Sequence, residues 1–181
     1  MGLDGVMIVM EVEETFGIQI ADADARGLRT PHMLSEFVAN RVQALPDEFC
    51  STQQIFYRLR RAFRVVIPAL LTDIRLNTPL QELVDRDQWS ETWSAVRLAA
   101  DAPDWPTTVP WPSWRSLKTG PKTMRDLVWH LALVLTPARG NAPLRWTRQQ
   151  VEHTVRRIIL EESGVGPTYD DQKSFADLGI N

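Results

Sequence analysis

The chain has 181 residues, 44% hydrophobic and 24% charged, with 12 prolines, one cysteine and a formal charge of −3. This composition excludes a disordered, collagenous or fibrous protein, and the length suffices for an apolar core without help from metals or disulfides. The lone Cys50 cannot close an intramolecular disulfide. No signal-peptide pattern follows Met1, so a cytoplasmic location is expected. The longest mainly apolar runs, such as LVWHLALVL at 127–135, fall short of the roughly 18 residues that a spanning helix needs, so no membrane insertion is expected. Charge is unevenly spread: residues 1–45 carry −4, 46–139 carry +2 and 140–181 carry −1. The acidic total argues against nucleic acid as a partner, and any acidic docking surface is expected near the N-terminus.

The first segment, GLDGVMIVMEVEETFGIQI, places Leu3, Val6, Val9, Met10 and Phe16 at helical spacing, with Gly17 as its C-cap. The polar stretch ADADARGLR leads to Thr30-Pro31, a capping hydroxyl before a first-turn proline. A second helix follows, with Met33, Leu34, Phe37, Val38 and Val42 recurring at three and four. Residues 43–51 read as a linker. Ser51 or Thr52 is then expected to cap a helix whose apolar face is Ile55, Phe56, Leu59, Phe63 and Val66, and which ends before Pro68. After a loop, DQWSETWSAVRLAA reads as amphipathic helix. Five prolines and three tryptophans across 101–123 exclude one regular helix and suggest an ordered loop pinned by Trp105, Trp111 and Trp114. TMRDLVWHLALVL gives another helix, stopping near Thr136-Pro137. The last runs from Thr147 to Gly164, and a structured tail follows it. With no alternating strand pattern anywhere, the fold class expected is all-α.

Two stretches resemble acyl carrier proteins, in reversed order. LDGVMIVMEVEETFGIQIADADARGLRTPHMLSEFVANRV is similar to the second half of that family, from the helix after the modification site to the last helix. VEHTVRRIILEESGVGPTYDDQKSFADLGIN is similar to the first half, ending in the Ser174–Gly179 approach to the modification site. The resemblance implies a circularly permuted carrier domain from residues 1–45 plus 146–181. A second, degenerate carrier-like helical unit with a Trp/Pro-rich loop, residues 51–139, would be inserted between the halves. Deleting residues 147–181 should then expose Val6, Val9, Met10 and Phe16. The C-terminal half could complete its own chain or a neighbour's, giving a monomer or a swapped homodimer.

The family carries phosphopantetheine on a serine at the start of its second helix. Gly2 stands at that position here and has no nucleophile, so the resemblance implies no cofactor and a protein that works through protein–protein contact. The family's partner-facing surface maps onto Asp4, Met7, Glu11, Glu13 and Glu14, with biosynthetic enzymes that recognise carrier proteins as the expected partners. The same acids also fit a solvated helix face. A different reading is a working carrier in fatty acid, polyketide or nonribosomal peptide synthesis, modified at an unorthodox serine such as Ser90 or Ser174. Arg58, Arg60, Arg61 and Arg64 with Tyr57 and Phe63 could bind phosphate or RNA, or form a solvated face. His32, His130 and His153 follow no metal-binding spacing, and no nucleophile elbow or phosphate loop occurs, so no enzymatic activity is expected.

Overall fold

The computed structural model describes residues 3–47, 50–68, 73–111, 120–136 and 145–180. Gly2, Trp114, Pro137 and most of the expected second linker lie outside them. Helix starts follow local chemistry. Thr30 accepts a hydrogen bond from the Met33 amide at 3.1 Å, with Pro31 in the first turn of α3 (Pro31–Arg41). Thr123 and Asp126 form a reciprocal capping box at α6 (Met124–Val134), and Thr147 and Gln150 form another at α7 (Arg148–Ser163). Gly17 after α1 (Leu3–Phe16) and Gly164 after α7 have φ of 64° and 70°, the left-handed conformation that ends helices and favours glycine. Part of the polar stretch before Thr30 is itself a short helix, α2 (Asp22–Gly27).

Three expectations are corrected. The residue capping α4 (Ser51–Val66) is Cys50, with no side-chain cap bond; its thiol lies 3.2 Å from the Thr52 hydroxyl instead. The buried face of α1 is Ile8, Glu11, Val12 and Phe16, whereas Leu3, Val6 and Met10 are exposed and Val9 is half-buried. The cause is that α1 is apolar on nearly every side, so spacing alone does not choose a face. The helix DQWSETWSAVRLAA is shorter than its pattern: α5 covers Trp89–Ala99, and Arg86–Gln88 ahead of it form a 3-10 turn, as do Leu80–Glu82.

The described residues contain seven α-helices and no strand, only two isolated bridges, Leu45 with Thr147 and Pro79 with Thr123. The class is all-α. The chain divides into two compact units, one of Met1–Glu48 with Thr136–Asn181 and one of Phe49–Leu135.

In the first unit α7 packs against α1 and α3. Ile8, Val12, Phe16, Leu34 and Val38 from the early segment share a core with Trp146, Val151, Val155, Ile158 and Ile159 from the late one. The Phe16 and Trp146 rings lie 4.6 Å apart. The tail after α7 is held by Arg156, whose side chain is 6% exposed. It donates to the Pro167 and Tyr169 carbonyls at 3.1 and 3.0 Å, stacks over the Tyr169 ring and faces Glu152 and Asp171.

In the second unit α4 packs against α5 and α6 around Leu59, Phe63, Trp93, Val96, Met124, Leu127 and Leu131. The described part of the loop after α5, up to 111, is pinned by tryptophans of the helix as well as its own. Trp89 and Trp93 donate to the carbonyls of Val109 and Pro106 at 2.7 and 2.9 Å, and the buried Trp105 stacks on Trp93. Gly120 lies so close to Pro110 that a Cβ there would overlap the Pro110 carbonyl oxygen.

Candidate functional site

Helix α1 tolerates Gly5 in its first turn and runs from Leu3 to Phe16, before the glycine that stops it. Its packing on α7 through Ile8, Val12 and Phe16 decides what remains outside. At 100° per residue the opposite side collects Leu3, Val6, Met7 and Met10, at i, i+3, i+4 and i+7. These four are 77%, 43%, 43% and 58% exposed. Glu14 continues the stripe and is exposed, whereas Asp4, half-exposed, lies on the side of Ile8 and Glu11. Met33 on α3 is exposed too. The stripe combines aliphatic and thioether side chains with one carboxylate, Glu14, and its methionines are flexible enough to adapt to an apolar surface.

The remaining two acids point elsewhere. Glu11 is buried and accepts from the Thr15 hydroxyl at 3.1 Å. Glu13 accepts from the Ile20 amide at 2.7 Å and so secures the turn by which the chain leaves α1. Of the five residues proposed from the sequence, Met7 and Glu14 therefore lie on the exposed stripe, Asp4 is half-exposed on the side of Ile8 and Glu11, and Glu11 and Glu13 serve the fold locally.

Sequence reasoning missed a cleft in the same unit. It has a volume of about 620 Å³ and an apolar wall that includes Ile8, Val9, Leu28, Leu34, Phe175 and Ile180. Arg26 and Arg29 are exposed at its edge. Three distant stretches of sequence build it: the start of α1, the α2–α3 region and the tail. The tail is fixed there by a hydrogen bond from the Phe175 amide to the Arg29 carbonyl at 2.9 Å and by one from the His32 amide to the Asp171 carbonyl at 3.0 Å. Ser174, on the cleft wall, donates to Asp177 Oδ2 at 2.6 Å and accepts from the Asp177 amide at 3.1 Å. Its hydroxyl is thereby engaged in an N-cap-like turn. Ser90, in the other unit, is exposed in the first turn of α5.

The titratable groups here are structural. Burial pushes His153 down to about 4, with repulsion from Arg156 adding to it and Asp47 opposing it. Burial also lowers His130 and raises the Tyr169 hydroxyl and the Glu152 carboxyl. Each is a group that stays uncharged more readily because water is excluded. Among the described residues no cluster of three or more His, Cys, Asp or Glu side chains could hold a metal ion. None of their helices is long and apolar enough to cross a membrane. No family model matches the chain, and neither a curated protein nor a solved structure matches it.

Proposed function

We propose that the protein is a non-enzymatic, carrier-protein-like interaction module that binds protein partners through the exposed stripe of α1 and carries no phosphopantetheine. The observation that carries this reading is the stripe itself, Leu3, Val6, Met7 and Met10 with Glu14, left uncovered by a helix that enters the core through Ile8, Val12 and Phe16. The sequence resemblance supplies the partner class, enzymes that recognise carrier proteins. Gly2 in place of a nucleophilic serine supplies the loss of the cofactor.

The test has two parts. After coexpression with a broad-specificity phosphopantetheinyl transferase, the intact mass is expected to be unmodified. Titration against purified carrier-dependent enzymes is expected to show binding that Met7→Glu with Met10→Glu abolishes. A phosphopantetheine adduct, or binding indifferent to those substitutions, overturns the proposal.

A second reading, a working carrier modified at an unorthodox serine, is favoured at one place by geometry. Ser90 is exposed in the first turn of α5, and its hydroxyl is accessible to a transferase. Ser174 is less suited because its hydroxyl is already bonded to Asp177. An adduct mapped to Ser90 would establish this reading.

A further inference from the structure

Helix α4 has the clearest division of faces in the chain. Ile55, Leu59, Ala62 and Phe63 are buried, and Tyr57, Arg60, Arg61, Arg64 and Val65 fan over the other side, within an arc of roughly 140° at 100° per residue. These five residues line an open hollow of about 420 Å³. Asp73, arriving from the following loop, already shows what the hollow's edge attracts. Its Oδ1 lies 2.8 Å from Arg60 Nη2 and 3.4 Å from Arg64 Nη2, and its Oδ2 lies 3.2 Å from Arg75 Nε.

One carboxylate thus faces three guanidinium groups, and two of them hold its carboxyl below the usual range, Arg75 chiefly through its hydrogen bond and Arg60 beside it. A fourth arginine, Arg61, makes no hydrogen bond or ion pair among the described residues, and the buried Arg60 Nε is without a partner. Four positive groups against one negative leave an excess of +3. The whole unit Phe49–Leu135 carries eleven bases and eight acids, a net +3.

We propose that this face of α4 is a binding site for a compact phosphate-bearing anion, held by Arg61 and Arg64 with Arg60 beside them and Tyr57 at the rim. Guanidinium forks match phosphate oxygens in pairs, and a phosphate offers more acceptor oxygens than the single carboxylate already seated. Compactness follows from the extent of the hollow, since a long polyanion needs a track of basic groups and only Arg60, Arg61 and Arg64 of one helix line it. The site lies wholly in the second unit and is independent of the function proposed for α1.

The test is calorimetric titration of the full chain with inorganic pyrophosphate at low ionic strength. The expected result is saturable one-site binding, weakened roughly tenfold or more by Arg61→Gln with Arg64→Gln and unchanged by Arg86→Gln, an exposed arginine of the 3-10 turn. Sulfate is expected to bind roughly tenfold more weakly than pyrophosphate. Arg61→Gln alone, at a side chain with no partner to lose, keeps the test valid should the double variant melt early. Two further arms use phosphatidylcholine vesicles containing phosphatidic acid and a single-stranded oligonucleotide. Competition of the vesicles with pyrophosphate, relieved by the same substitutions, would identify a lipid headgroup as the source of the phosphate. Absence of saturable pyrophosphate binding, equal affinity for sulfate, binding untouched by the arginine substitutions, or binding of the oligonucleotide alone would each overturn the proposal.

Discussion

Arg156 shows how one side chain can fix a segment that has no secondary structure of its own. Its guanidinium replaces water around two tail carbonyls and a tyrosine face, and Glu152 and Asp171 offset its charge. Arg156→Ala leaves those carbonyls unpaired, so it is expected to destabilise the protein by about 2–4 kcal/mol, read as a lower urea midpoint. Arg156→Lys should recover little of that loss, because an ammonium cannot span both carbonyls and stack on the ring. His153, three residues earlier, makes stability depend on pH. Its folded value of about 4 lies below the ordinary 6.5. Between those values the unfolded chain binds a proton that the native state does not, so stability falls as pH falls from about 6.5 to about 4. The loss attributable to this group is of order 3 kcal/mol. Glu152, raised by burial, opposes it in the acid part of that range. Urea midpoints measured from pH 7 to pH 4 should therefore drop less steeply in His153→Gln than in the parent chain.

At the scale of elements, α1 separates what sequence pattern can specify from what it leaves open. Met7 and Ile8 are neighbours of similar hydrophobicity, yet one is 43% and the other 2% exposed. Ile8→Ala is expected to cost about 2–4 kcal/mol, while Met7→Ala should stay within about 0.5 kcal/mol, a contrast that thermal or urea unfolding measures directly. Helix boundaries were legible because caps are local chemistry: Thr30 before Pro31, Thr123 with Asp126, Thr147 with Gln150, and the left-handed Gly17 and Gly164. The face of α1 was not, because seven of its eight residues from Leu3 to Met10, leaving out Asp4 and counting Gly5, are uncharged and no polar side marks solvent. The cleft beside it was illegible for a different reason: its wall joins Ile8, Leu28 and Phe175, whose proximity only tertiary packing creates. Arg156 resembled any solvent-facing arginine of an amphipathic helix. The α4 face was visible from spacing alone, but the crowding of Arg60, Arg64 and Arg75 on Asp73 required the path of the loop.

At the scale of the whole molecule, one unit is made from a continuous stretch and the other from both ends of the chain. Phe49–Leu135 contains its complete core, so an isolated 49–135 fragment is expected to give a helical spectrum and a cooperative melt. The discontinuous unit should behave oppositely when cut. Removing residues 147–181 strips Val151, Val155, Ile158 and Ile159 from Ile8, Val12, Phe16, Leu34 and Val38, and leaves the N-terminal helices with an uncovered apolar face. Such a truncation should aggregate or lose that unit's transition, and a soluble monomer retaining it would count against the shared core. The stronger test reverses the connection. Gly5 of α1 and Ile180 of the tail line the same cleft, so a short linker from the end of the tail to the start of α1 can close the unit without crossing its core. A chain running from residue 145 to 181 and then, through that linker, from 1 to 48 keeps every core residue and omits the second unit. It should fold as a monomeric helical domain whose amides show the dispersion of a packed core, because the contacts and not the order of the segments hold the native state. Failure of the rejoined chain to fold, with the 49–135 fragment folded, would mean that the first unit depends on the second, and would remove the permuted-domain interpretation on which the proposed function of α1 rests.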